Sequence, residues 1–243
     1  MILAYQLYCS RSEPLERTLP TLREAGWRHV EGYGGLYDDP EGLRAALDAH
    51  GLTMPSGHFA LGQVEGRAGE ALRTARVLGM EKVLVPWIEP AARGADAEGW
   101  RALAGRVAAA LEPLRAEGLA VGWHNHDWDL ADLGGGVTPL DLMAEAGLGI
   151  ELDLGWVARA GQDPAAWIDR LGGRILAVHV KDLAPAGVEA EDGWADLGHG
   201  TTDWAPVRAA LRRHGIDHLV AEHDNPADPG RFARRSFDTL QSW

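Results

Sequence analysis

Ionisable side chains fall in short clusters along the chain: Glu31, His58, His124-Asn125-His126, Glu151-Leu152-Asp153, His179-Val180-Lys181-Asp182 and Glu222-His223-Asp224. Alternate residues of an extended strand share a face. His124 therefore pairs with His126, Glu151 with Asp153, His179 with Lys181, and Glu222 with Asp224. Such groups are costly to bury together unless they are paired or hold a cation. Two imidazoles and two carboxylates converging on one point suit a borderline divalent ion: Mn, Zn, Co or Fe. Each group alone has a plainer reading. A lone strand-end His is usually hydrogen-bonded, Asp153 and Glu222 are loop-capping acids, Lys181-Asp182 is a surface ion pair, and Asp127 and Asp129 are solvated loop acids. Recurrence at four consecutive strand ends favours the metal site. Glu151, one layer beneath Asp153, reads as buried support for a ligand. His29, His50, His214 and His218 lie near helix ends or strand starts and read as structural.

The elements that must position these groups alternate regularly. β-type runs cover Met1–Tyr8, Arg28–Tyr33, Leu52–His58, Lys82–Trp87, Ala120–His126, Gly149–Leu154, Ile175–Lys181 and His218–Asp224. Their spacing of about 30 residues is that of one βα unit. Helical patterns lie between them: Leu43-Ala46-Leu47 and Leu103-Val107-Leu111-Leu114 keep the i, i+3, i+4 spacing. Asp39-Pro40, Thr138-Pro139, Asp163-Pro164 and Asp228-Pro229 mark helix starts. Strands separated by helices must run parallel. Eight unbroken units predict an α/β fold, a single (β/α)8 TIM barrel over residues 1–243, with chemistry at the C-terminal strand ends. An open doubly wound sheet would need a glycine-rich phosphate loop after the first strand, and Tyr8-Cys9-Ser10-Arg11-Ser12 is not one. The longest irregular stretch, Ala184–Asp203, is long enough to lie over a site.

Composition narrows the partners. Of 243 residues 46% are hydrophobic and 24% charged, which is globular composition. The net charge of −13 disfavours broad nucleic-acid binding. No apolar run approaches the ~20 residues of a membrane span. The N-terminus lacks a secretory pattern and Cys9 is the single cysteine, so a cytoplasmic protein is expected. Only Lys82 and Lys181 among 23 basic residues are lysine. In so arginine-biased a chain, a retained lysine invites a chemical reason. Trp87, Trp123, Trp128, Trp156, Trp194 and Trp204 fall at or just after strand ends. There an indole either fills core or stacks on the C–H face of a sugar; Trp87 and Trp156 are taken as the sugar-facing pair, with Glu31 a further substrate contact.

Gln6-Leu7-Tyr8, Pro86-Trp87, Trp123-His124-Asn125-His126-Asp127, Glu151-Leu152-Asp153-Leu154-Gly155-Trp156, His179-Val180-Lys181-Asp182, Gly198-His199-Gly200 with Asp203-Trp204, and Glu222-His223-Asp224 occur in that order. Together they resemble the xylose isomerase-like TIM barrel superfamily, in its bacterial sugar phosphate isomerase/epimerase branch. The resemblance implies one divalent metal held by His124, Asp153, His179 and Glu222, with His58 and Lys181 touching substrate. Many epimerases of this superfamily carry Glu where this chain has His124, which argues against a symmetric exchange between two glutamates. Branch members often have Glu at the positions of Asp129 and His199. Related DNA-repair nucleases need a His where Trp156 stands, which argues against that activity. The expected reaction is isomerisation or epimerisation of a sugar or keto-sugar through a metal-stabilised enediolate. Glu222 is the first candidate base, His126 the second, and Lys181 holds the developing oxyanion. Loss of a β-hydroxyl from the same enediolate would make a keto-sugar or inosose dehydratase instead, and a non-catalytic sugar-binding barrel is a third reading. With no phosphate loop apparent, an unphosphorylated sugar is favoured. The partner is thus a small-molecule sugar, with no nucleic acid and no membrane; a homo-oligomer is compatible with the sequence.

Overall fold

The acid–proline and Thr–Pro pairs start helices where expected. Asp39, Thr138, Asp163 and Asp228 each accept a backbone N–H of the first turn, and proline occupies the next position. The cap satisfies one exposed helix donor and proline removes another. The structure, a computed structural model, describes residues 1–243. Its helices are α1 (Leu15–Ala25), α2 (Pro40–Ala49), α3 (Leu61–Val64), α4 (Ala68–Leu78), α5 (Ala97–Ala116), α6 (Pro139–Glu145), α7 (Leu154–Arg159), α8 (Pro164–Leu171), α9 (Trp204–His214) and α10 (Pro229–Gln241).

Eight strands close a parallel barrel: β1 (Ile2–Gln6), β2 (His29–Gly32), β3 (Thr53–His58), β4 (Lys82–Val85), β5 (Ala120–His124), β6 (Gly149–Asp153), β7 (Ile175–Val180) and β10 (His218–Ala221). Neighbours in the barrel follow chain order, and β10 pairs with β1 to complete the (β/α)8 topology. Two further strands, β8 (Asp182–Leu183) and β9 (Trp194–Ala195), form an antiparallel pair outside it. Most strands end one to three residues before the sequence pattern suggests, because the last polar residues turn away from the ladder onto the mouth. Asn125, His126, Lys181 and Glu222 all lie just past a strand end.

Alternation along the strands separates two environments. Val83, Val85, Trp123, Ile150, Leu152, Val178, Val180 and Leu219 are buried in the layer shared with the helices. Each such aliphatic side chain contributes roughly 1.5–3 kcal/mol by leaving water. The opposite set, Gln6, Glu31, Ser56, His58, His124, Glu151, Asp153 and His179, fills the upper barrel interior and is just as buried. No helix is long and apolar enough to cross a membrane.

Candidate functional site

Register fixes two polar layers. In the lower one Glu31 is paired with Gln6 and Ser56, and Glu151 with His124. Glu31 accepts from Gln6 Nε2 at 2.8 Å, Ser56 Oγ at 2.5 Å and His179 Nε2 at 2.7 Å. Glu151 Oε2 accepts from His58 Nε2 at 2.5 Å and His124 Nδ1 at 3.1 Å, and lies 3.2 Å from His179 Nε2. Burial alone would raise both carboxyls. His179 and His58 overcome it and hold Glu151 well below the usual carboxylate range, and Glu31 is lowered too, its charge opposed by Glu151 and favoured by His58 and His179. Burial conversely disfavours a charged His58, but Glu31 and Glu151 push it up to about 10. This layer corrects one expectation: Glu31 is fully buried beneath the mouth and braces His179, so it has no face open to substrate.

The upper layer gathers the four expected ligands. One donor atom each from His124, Asp153, His179 and Glu222 lies within 4.8 Å of the others, all buried. Both imidazoles spend their lower nitrogen on the carboxylates beneath; of the other two, His124 Nε2 lies 3.9 Å from Asp153 Oδ2, while His179 Nδ1 is bonded to Glu222 Oε2 at 3.0 Å and lies 4.0 Å from Asp153 Oδ2. Tautomers follow from such partners. Asp153 Oδ1 caps α7, accepting the Trp156 N–H at 2.9 Å, while the buried Oδ2 has no hydrogen-bond partner. Asn125 braces that strand end, accepting the Asp153 N–H at 2.8 Å and donating to its carbonyl. Gly155 lets the turn pack on β7, since a β-carbon there would lie 2.6 Å from Lys181 Cβ.

Lys181 is at the centre but not as expected. Its ammonium lies 2.8 Å from Glu222 Oε2, 2.8 Å from Asp224 Oδ1 and 3.2 Å from Asp153 Oδ2, and it is 1% exposed. Its hydrogen bond goes to Asp224, and Glu222 and Asp153 crowd its remaining side, so the ammonium is committed to carboxylates rather than to a substrate oxyanion. Burial would lift Glu222, yet Lys181 and His179 hold it well below the carboxylate range. Glu222 Oε2 takes Lys181 and His179, Oε1 has no protein partner, and the residue lines the cavity described next. The buried Asp153 Oδ2, which has no hydrogen bond, the His124 nitrogen turned toward it and the Glu222 and His179 donor atoms within 4.8 Å fit a divalent cation.

Above this cluster opens a cavity of about 830 Å³. His58, His124, His126, Trp87, Trp156 and Glu222 line it. Trp128 lines it too, but is sandwiched between His126, stacked at 4.3 Å, and the Arg93 guanidinium at 3.6 Å. Trp123, Trp194 and Trp204 are buried instead. Burial among these rings holds His126 well below its ordinary value, hence neutral. Buried nitrogens of three lining residues, His126 Nδ1, Trp128 Nε1 and Trp156 Nε1, lack a protein partner. Asp192, from the 184–203 stretch, reaches the rim. His199 is exposed and Asp127 is a loop acid as expected, but Asp129 is buried. Burial pushes its carboxyl up to about 7 against the His126 N–H it accepts at 2.8 Å. Asp182 is no surface ion pair: it is buried, facing away from Lys181's partners.

The model of the xylose isomerase-like TIM barrel family matches residues 19–243. The chain belongs to that family. A curated relative, the rhizopine catabolism protein MocC of Rhizobium meliloti, is 28% identical, the match covering 93% of this chain and 81% of MocC. A sugar phosphate isomerase/epimerase from Parabacteroides distasonis has a like fold, with TM-score 0.84, 18% identity, and coverage of 99% of this chain and 93% of that one. So do the 3-keto-D-glucoside 4-epimerase YcjR from E. coli (TM-score 0.73, 18% identity, 100% of both chains) and the IolI protein with a bound zinc atom (TM-score 0.73, 14% identity, 100% and 97%). These structural likenesses concern the fold.

Proposed function

We propose that the protein is a divalent-metal-dependent isomerase or epimerase of an unphosphorylated sugar or keto-sugar. The observation that carries this reading is the convergence of His124, Asp153, His179 and Glu222 on one buried point at the floor of an aromatic-walled cavity. When bound there, the cation supplies Lewis acidity that polarises a substrate carbonyl. Glu222, kept ionised by Lys181, takes the α-proton through Oε1, the oxygen without a protein partner. The C–H electron pair becomes the enediolate double bond and the carbonyl oxygen gains the negative charge. His58, a cation gripped from below by Glu151 and Glu31, presents its other nitrogen to that oxygen. His126, neutral and lining the cavity, is the second candidate for moving the proton. The unpaired nitrogens of Trp128, Trp156 and His126 bind sugar oxygens, since buried polar groups need partners. Return of the proton at a new face or carbon gives the epimer or isomer.

The cavity also argues against a phosphate. Its rim carries Asp192 and Asp224, and its one arginine, Arg11, already donates to the carbonyls of Tyr8 and Asp224. The test is α-proton exchange in D2O with ketoses and 3-keto-sugars, before and after chelation and with Mn, Co or Zn restored. Exchange that needs added metal supports the reading; full exchange by chelated protein, or none by the loaded protein, overturns it. Loss of a β-hydroxyl, seen as a dehydrated product, would assign a lyase using the same first step. Glu222→Gln should lower exchange about 10²–10⁴-fold; near-normal exchange would remove Glu222 as the base.

A further inference from the structure

The cavity extends well past the donor cluster. Tyr8 follows β1 and Tyr33 follows β2, while Trp128 and Trp156 follow β5 and β6, the strands directly opposite in the closed order. The tyrosine rings meet edge to face with centroids 5.3 Å apart, and the Arg11 guanidinium lies 4.2 Å over Tyr8. Tyr8 is 39% and Trp87 40% exposed, so two of the four exposed large apolar side chains stand on facing walls of this cavity. Exposed aromatic surface of this kind marks contact with a ligand or partner.

The tyrosine wall is built rather than incidental. A β-carbon on Gly34 would lie 2.3 Å from Gln63 Oε1, and one on Gly35 2.8 Å from the Tyr33 ring. Gln63 is itself fixed, accepting the Ala60 N–H at 2.9 Å and donating to the Gly34 carbonyl at 3.1 Å. Two adjacent glycines thus let the β2 loop press against the β3 loop and seat Tyr33. The whole space, about 830 Å³, lies high in the range of roughly 300–1,000 Å³ that encloses drug-sized ligands. At that volume one sugar ring over the donor cluster fills only part of the space.

We propose that the substrate is a glycoside. Its reacting ring sits over the donor cluster against Trp87 and Trp156, and a second ring-sized unit with an apolar face stacks on Tyr33 and abuts Tyr8, whose ring stands perpendicular to it. The inference rests on the sugar chemistry proposed above for the reacting ring. Aromatic faces suit such a unit, whether a second sugar presenting C–H bonds or an aryl group.

Two measurements separate this inference from that reading. The first compares α-proton exchange of 3-keto-glucose with that of phenyl 3-keto-glucoside and a 3-keto-disaccharide on the metal-loaded protein. The second measures calorimetric binding of unreactive phenyl glucoside, which needs no turnover. The glycosides should exceed the free keto-sugar about tenfold in kcat/KM, the scale of one aromatic stacking contact. Tyr33→Ala should erase that preference and weaken phenyl glucoside binding by a similar factor, while Tyr33→Phe retains both. Equal kcat/KM for all three substrates, or a preference that survives Tyr33→Ala, overturns the glycoside and leaves the sugar chemistry standing. Binding that depends on Tyr33 with exchange of no substrate supports the tyrosine subsite and overturns the proposed reaction. No binding and no exchange overturns both.

Discussion

Glu151 and Glu31 touch no part of the cavity, yet they decide which nitrogen His124 and His179 offer upward. Partners of this kind typically change metal affinity 10–100-fold. Glu151→Gln should therefore weaken Mn or Zn binding by about 10–100-fold in a titration, although the donor set is intact. Unchanged affinity would mean that the lower layer does not orient the upper one. At this scale the sequence was informative where side chains repeat every second position, which brings His124, Asp153, His179 and Glu222 to one face. It was silent on depth. Glu31 looks equivalent to the strand-end acids in the sequence, but barrel stagger places it level with Gln6 and Ser56, below the mouth. Lys181 lies among the carboxylates of Asp153, Glu222 and Asp224, but how many of them compete for its protons depends on three different strand ends and no local pattern reveals it.

The loop after β7 is organised by Asp182. Its carboxylate accepts from the backbone N–H groups of Leu183, Gly198, Gly200 and Thr202 and from Trp204 Nε1, at 2.9–3.2 Å. Asp182→Ala would orphan these donors and should cost at least about 3 kcal/mol, with new proteolytic cuts between residues 184 and 203. The same loop holds Glu191 and Asp192 at φ 53° and 58°, the only non-glycine residues with positive φ. Glu191 is held there by Arg231 and the Ala227 N–H, and Arg159 donates to the Asp192 carbonyl. A β-branched residue tolerates that backbone poorly: Asp192→Val should destabilise by about 1–2 kcal/mol in urea unfolding, and Asp192→Gly should stay within about 1 kcal/mol. The alternation of βα units was legible because each is long and repeats. The β8–β9 pair was not, since two-residue strands have no period to detect.

At the pole opposite the mouth the barrel interior is polar again, beyond a middle that includes Leu84, Ala177 and Val220. There Lys82, at the start of β4, reaches the start of β10 and donates to His218 Nδ1 at 2.9 Å. Burial, then the Lys82 charge, lower His218 from 6.5 to about 4, and it is 2% exposed. The unfolded chain takes up this proton below pH 6.5 while the folded one resists until about pH 4. Stability should therefore be full above pH 6.5 and fall by about 3 kcal/mol as pH drops to about 4. His218→Asn keeps an acceptor for Lys82 without the titration, so its urea midpoint should decline less over that interval. The two lysines retained in an arginine-biased chain thus both lie inside the barrel, one at each pole.

The four donor side chains come from β5, β6, β7 and the end of β10, so nearly a hundred residues separate the first from the last. No shorter stretch of the chain carries the complete set, and each of these strands needs its neighbours to hold register. Ion capture at the proposed site would consequently be a readout of ring closure: a variant that leaves its last βα unit undocked should forfeit tight binding even while its helices persist, and an added ion should draw such a chain shut.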